Sequence, residues 1–329
     1  MSASSCIRCG TPRVAGAECP HCGVIYARAE RWAAEHESRP ADDAVADEAP
    51  HALEPSPSRP SAAALFALDQ KLSEARSEVW LAQFAVPIAL IGSWLFVQIG
   101  LGKFVARTFA GMWLHELGHA TVAWMCGYPA FPGPWLTTIG ERSLLFAGLV
   151  TVGVGYLAWR GWTAENRVLV GVAGVLLFLQ LLGTFALSPG SADTLITFAG
   201  DAGSLVYGIA LVATFFVPPE HKLHRDWLRW GFLVIGAFGF TDTFYDWRMA
   251  RTDYDAIAFG QFDHGGATDP TKLTEDAGWT IPTMVNRYLA LGTFAFLCLI
   301  PLQYFHIVRT RAKLEELEET ASAARRNRR

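Results

Sequence analysis

The chain has 329 residues, of which 51% are hydrophobic and only 18% charged, and its mean hydropathy is positive. Its polar residues gather at the two ends and in one loop, so the remainder is too apolar for a soluble globule and reads as an all-α polytopic membrane protein. The net charge of −4 combines a basic C-terminal end with an acidic linker and loop, and gives no sign of nucleic-acid binding.

The first apolar run begins near Val79, too late for a signal peptide. Before it, Cys6-Ile-Arg-Cys9 and Cys19-Pro-His-Cys22 form two Cys-x2-Cys knuckles, each followed by a glycine (Gly10, Gly23) that lets the backbone turn. Four thiolates at this spacing suit one tetrahedral structural zinc, with no open position for catalysis. The segment resembles the zinc-ribbon family. Residues 1–30 hold nothing else that builds a core, so the metal is expected to fold them. Two disulfides in an oxidising compartment are the alternative. His21 reads as a bystander. The ribbon's expected role is to bind a cytoplasmic protein partner or to regulate the membrane part.

Residues 31–78 read as a disordered linker and a lead-in to the membrane. Pro40, Pro50, Pro55, Pro57 and Pro60 stand among Ala, Ser and acidic residues, a composition that buries too little surface to fold. Leu65, Leu68 and Leu72 then show amphipathic helical spacing. The membrane domain is placed at 79–308, with apolar segments near 79–101, 108–127, 143–160, 167–187, 195–217, 227–247 and 285–308, about six to seven spans. The third is short. A long acidic loop covers 249–284, where Asp269-Pro270 is expected to cap a short helix and the acidic residues to form a solvated face. Residues 309–329 form a basic tail.

Basic residues sort the loops in two ways. With the N-terminus outside, Lys103, Arg107, Arg160, Arg167, Lys222, Arg225 and Arg229 all face the cytoplasm. A four-Cys ribbon instead favours a reducing cytoplasm. Both hold if one early segment does not fully span, and Pro87 marks the first segment for that role. Both ends are then cytoplasmic, and the expected location is the inner membrane of a prokaryote.

The second apolar segment contains His115-Glu-Leu-Gly-His119. On a helix, residues four apart share a face, so both imidazoles can reach one metal ion. Glu116 is one step round and can act as general base on a water there. Each ionisable group at membrane depth costs about 2.5–3.5 kcal/mol or more, so three together call for a function. The plainer reading is a polar cluster that hydrogen-bonds neighbouring helices. Cys126 lies too far along the axis to join the metal and, with Cys298, reads as a core cysteine. His221 and His224 read as a basic patch at the membrane edge.

The run Trp113-Leu-His-Glu-Leu-Gly-His-Ala-Thr-Val-Ala-Trp-Met-Cys-Gly127 resembles the active-site helix of the site-2 protease family of intramembrane zinc metalloproteases. The resemblance covers about one helix. It implies a catalytic zinc held by His115 and His119, Glu116 as base, and cleavage of transmembrane segments of membrane-protein substrates within the lipid bilayer. The family's third ligand is the Asp of a Leu-Asp-Gly motif, which this chain lacks. The nearest analogue is Ala199-Gly200-Asp201-Ala202-Gly203, with Asp201 as the ligand. Asp242 and Asp246, four apart in the sixth segment, are equal rivals. Helix capping by Asp201, and pairing of Asp242 and Asp246 with Arg248 or Arg251, are the structural alternatives. A non-catalytic membrane protein, or an adaptor built on the ribbon, are the competing functions.

Overall fold

The computed structural model describes residues 5–6, 11–37, 61–218, 221–224, 227–261 and 266–328. These form two units, Met1–Ser58 and Arg59–Arg329. In the first, Cys6, Cys19 and Tyr26 are buried together, two short antiparallel bridges (Ser5–Pro12 and Glu18–Ile25) close the turns, and helix α1 (Tyr26–Glu37) follows. The expected linker falls largely on residues 38–60, outside the described residues.

The second unit is helical, as its composition requires: α2 (Ala62–Phe96), α3 (Gly100–Ala106), α4 (Met112–Met125), α5 (Leu144–Thr163), α6 (Arg167–Leu181), α7 (Pro189–Ala213), α8 (Leu228–Met249), α9 (Asp269–Glu275) and α10 (Ile281–Arg328). A π-helical turn, Arg107–Gly111, joins α3 to α4, and another, Leu182–Ala186, ends α6. The one sheet among the described residues is a hairpin of β1 (Ala130–Pro132) and β2 (Thr137–Ile139). Helix starts follow local chemistry. The side chains of Ser61, Ser143, Asn166 and Ser188 each accept a backbone N–H from the third residue on, and Pro189 sits in the first turn of α7.

All seven expected apolar segments are helical. Five helices are long and apolar enough to cross a membrane: Ala63–Phe96, Leu144–Thr163, Arg167–Ala186, Pro189–Phe216 and Ile281–Asn327. The other two are α3–α4 and α8, whose hydropathy is lowered by Lys103, Arg107, His115, Glu116 and His119 on one and by Asp242, Asp246 and Arg248 on the other. The third segment is not short: from its cap at Ser143, α5 runs 20 residues because it continues past Arg160 to Thr163. Nor does Pro87 break the first, since α2 is continuous over 35 residues. The amphipathic lead-in is the first half of α2, and the basic tail is the last part of α10. These two extensions lie side by side, joined by Arg76–Glu318 at 2.9 Å and Arg325–Asp69 at 2.6 Å.

α7 is the hub of this unit and packs on α4, α8 and α10. Leu205 and Phe215 of α7 and its short extension, Leu233 of α8, Met284 and Tyr288 of α10, and Leu273 of α9 are fully buried there. By contrast, α5 and α6 expose Leu145, Val152, Val168 and Phe178, apolar faces suited to lipid.

The crossing of α4 and α7 is unusually close. A Cβ added at Gly118 would lie 2.0 Å from the Ala199 carbonyl oxygen, and one at Gly203 would lie 2.4 Å from Gly118 Cα. Two facing glycines therefore let the backbones touch, which is how small residues pack membrane helices.

Candidate metal centre

That contact places His115 and His119 against α7. His119 Nδ1 is 2.7 Å from the Ile196 carbonyl oxygen, and His115 Nδ1 is 2.9 Å from Asp201 Oδ1. Both partners are acceptors, so both Nδ1 atoms carry the proton and both Nε2 atoms present lone pairs. The Nε2 atoms are 3.0 Å apart. Asp269 Oδ2 lies 3.1 Å from the first and 3.0 Å from the second.

Three electron-rich atoms thus converge at hydrogen-bond distance with no proton assigned between the two imidazoles. Zinc ligands at about 2.0–2.2 Å from a tetrahedral ion lie about 3.3–3.5 Å from one another, close to this triangle. Gly200 supplies the room. A Cβ there would come within 2.5 Å of His115 Cε1 and 2.6 Å of His119 Nε2. The donor set and the space therefore fit a dication, and His115, His119 and Asp269 form a group able to hold a metal.

The third carboxylate is not the one read from the sequence. Asp201 sits behind His115, on its Nδ1, and its other oxygen accepts the Trp247 indole N–H at 2.9 Å. A carboxylate in that place fixes the tautomer and ring orientation of a ligating histidine. Asp242 and Asp246 do not reach the histidines. Asp242 Oδ2 accepts from Arg107 Nε at 2.9 Å, Asp246 Oδ1 accepts from Lys103 Nζ at 2.6 Å, and Arg107 also pairs with Asp246. Their partners come from α3 and the π-turn rather than from Arg248 or Arg251. The π-turn directly precedes the motif helix, a place where such turns often serve a functional site.

Asp269 was legible only as a helix-capping, solvated acid. The cap of α9 is in fact Thr268, and Asp269 is the first residue of that helix, with Pro270 next. α9 packs on α7 with Leu273 fully buried, and the preceding loop is tied to it by the Gly260 N–H, donated to Thr271 Oγ1 at 3.0 Å.

Glu116 is 4% exposed and lines the same cavity as His115, His119 and Asp269. Its Oε2 accepts the Thr137 hydroxyl at 2.7 Å. Thr137 is on β2, and the hairpin is held by Arg142, which donates to the carbonyls of Cys126 (2.9 Å), Gly183 (2.6 Å) and Leu187 (3.1 Å). The cavity is about 450 Å³ and is walled by α4, α7, α8, β2 and the loop that carries α9. Sequence reading had no signal for Thr137 or Trp247, since neither belongs to a motif.

In the N-terminal unit, the sulfurs of Cys6, Cys19 and Cys22 lie within 4.8 Å of one another. Cys9 lies outside the described residues. Gly23 adopts φ 67°, the left-handed turn expected under a knuckle. The Cys19 thiol is drawn down to about 5, chiefly by the backbone N–H of Cys22 and then by that of His21. Such a thiol is a thiolate at neutral pH and ready to ligate.

Comparison with protein-family models, with curated proteins and with solved structures finds no match for this chain.

Proposed function

We propose that the protein is a zinc-dependent intramembrane peptidase of the site-2 protease type that cuts transmembrane segments of other membrane proteins. The observation that carries this reading is the convergence of His115 Nε2, His119 Nε2 and Asp269 Oδ2 beside a buried glutamate in one cavity. Zinc held by these three residues would supply Lewis acidity toward a peptide carbonyl and bring a water toward ionisation near neutral pH. Glu116 takes the proton from the attacking water and passes it to the leaving nitrogen. Thr137 holds one of its oxygens, which leaves the other for that transfer. Asp201, held by Trp247, keeps His115 in the ligating tautomer. A substrate helix must unwind locally to offer its carbonyl, since an intact helix satisfies its own backbone.

The N-terminal unit is proposed to bind one structural zinc through Cys6, Cys9, Cys19 and Cys22 and to contact a protein partner in the cytoplasm of a prokaryote, with the membrane unit in the inner membrane. The competing reading is a non-catalytic protein in which the polar cluster is structural. It is favoured by the fact that every His115 and His119 nitrogen already has a polar neighbour.

Metal content of the purified full chain tests both. The wild type is expected to hold two zinc ions and the His115→Ala/His119→Ala variant one. Glu116→Gln is expected to keep both ions and lose about 10²–10⁴-fold in turnover. Equal zinc in wild type and the double variant, or wild-type turnover by Glu116→Gln, would overturn the reading.

A further inference from the structure

The segment that bears the metal ligands starts and finishes toward the same end of the helical unit. One end of that unit is marked by Glu78 at the head of the apolar part of α2. Its oxygens accept from Arg229, at the start of α8, at 3.1 Å. Arg229 lies over Phe215, just past α7, at 4.9 Å, and Phe216 meets His306 of α10 at 5.3 Å. The paired extensions of α2 and α10 leave from here, so both ends of the unit do too. The opposite end holds the finish of α8 and the start of α10. There Trp247 stacks on Tyr288 at 4.2 Å and Tyr288 on Phe198 at 4.5 Å.

The motif segment runs from Gly100 to Met125. Near its start, Lys103 binds Asp246, close to the finish of α8. At its finish, Arg142 ties the Cys126 carbonyl to those of Gly183 and Leu187, in the turn between α6 and α7. That turn lies opposite Phe216, because α7 begins at it. Both termini of the segment therefore stand toward the end away from the paired extensions, and its middle dips inward, where Gly111 offers its carbonyl to Ser204 at 3.3 Å.

We infer that the chain crosses the bilayer six times, by α2, α5, α6, α7, α8 and α10, that the metal-bearing segment enters and leaves on one face, and that the metal centre opens on the non-cytoplasmic side. Six crossings put both ends on one side, and the charges choose it. Arg160 and Arg167 flank the turn between α5 and α6. With Lys71, Arg76, Lys222, Arg309, Arg311 and Lys313 they fall on the side of the paired extensions. Positive loops stay in the cytoplasm, and acidic residues weigh little in the choice. The cavity side carries fewer, Arg142, Arg248, Arg251, Lys272 and Arg287, among Glu141, Asp193, Asp253 and Asp255. This assignment removes the conflict between the basic loops and a ribbon in a reducing compartment, because Lys103 and Arg107 are spent on Asp246 and Asp242 inside the protein and do not vote on a loop. The substrate consequence rests on the peptidase reading: the scissile bond is offered from the non-cytoplasmic leaflet or the water beside it, where α9 brings Asp269.

The test is labelling of introduced cysteines by a membrane-impermeant maleimide in right-side-out and inside-out vesicles, scored above the wild-type signal. Glu141→Cys, Asp193→Cys and Asp255→Cys report the cavity side, and Ala67→Cys, Ala164→Cys and Ala323→Cys the side of the extensions; all six positions are exposed. The first three are expected to gain label only in right-side-out vesicles and the last three only in inside-out vesicles. Ala67 and Glu141, which flank the apolar part of α2 and the motif segment, labelled from the same side would mean that the motif segment crosses, and would overturn the six-crossing path. The full reverse pattern would overturn the orientation. Labelling reads no cleavage, so its failure leaves the peptidase proposal standing, and loss of that proposal leaves the map intact.

Discussion

Asp201 and Asp269 are given different jobs by their distances, and replacing each by asparagine separates those jobs. Asp201 accepts two N–H groups, from His115 Nδ1 and Trp247 Nε1, each at 2.9 Å. Asparagine has one acceptor oxygen, so one of the two donors loses its partner. An orphaned buried donor costs about 1–3 kcal/mol. If that cost is paid by the orientation of His115, zinc affinity at the membrane site falls about 10–100-fold, the range seen when the outer partner of a ligating histidine is removed. Asp269→Asn changes an atom that faces both Nε2 positions, and is expected to lower affinity further than Asp201→Asn. Asp242→Asn touches Arg107 and neither histidine, and is expected to leave zinc affinity unchanged. The assay is competition between the solubilised full chain and a chelator of known affinity, with the His115→Ala/His119→Ala variant defining the ribbon's share. Loss of the site in Asp201→Asn together with its retention in Asp269→Asn would refute the assignment and make Asp201 the ligand.

Gly200→Ala places a methyl group 2.6 Å from His119 Nε2, inside the space for the metal. The membrane-site zinc should be lost while the ribbon keeps its own; a variant that still holds two ions would show that the space is not the metal's. Gly118→Ala drives a methyl group to 2.0 Å from the Ala199 carbonyl oxygen, backbone that has no rotamer with which to yield. Overpacking typically costs about 1–3 kcal/mol, and the top of that range is expected here, read as a lower Tm in detergent; an unchanged Tm would contradict the crossing. Cys19 provides a pH dependence in the ribbon. Its folded value of about 5 lies below the ordinary 9.0, so its contribution to the metal-free fold is whole above about pH 9, declines as pH falls, and is gone below about pH 5. Thiolate absorbance of the metal-free protein, less that of Cys19→Ser, should show a midpoint near 5; a midpoint near 9 would contradict it.

What the sequence made legible were the features with local causes. Apolar runs gave the helices, the serine and asparagine caps fixed their starts, and the four-residue spacing put His115 and His119 on one face. The carboxylates were not legible, because their roles are set by which helix lies opposite. Asp201 opens no helix; it is near the middle of α7, and its level relative to His115 follows from the Gly118–Gly203 contact. Asp242 and Asp246 looked like ligands because they share a face, and nothing local showed that a π-turn would aim Arg107 at them. Asp269 is 150 positions from His119 and belongs to a loop whose path is decided by the burial of Leu273.

Charge balance bears on whether the cluster is a metal site or a self-satisfied polar knot. Arg107 and Lys103 neutralise Asp242 and Asp246. Among the described residues, neither Asp201 nor Asp269 is ion-paired to a lysine or arginine; the groups paired with them are His115 and His119, while Arg107 acts on Asp201 from further off. Two carboxylates taken from water at several kcal/mol each need two positive charges close by. Two imidazolium rings would supply them, but each would then carry a proton on Nε2, and the two N–H groups would face one another across 3.0 Å while sharing a single oxygen of Asp269. One dication between the two Nε2 atoms and Asp269 Oδ2 supplies the same charge, turns the facing lone pairs from a repulsion into ligation, and leaves the Nδ1 protons where Asp201 and Ile196 accept them.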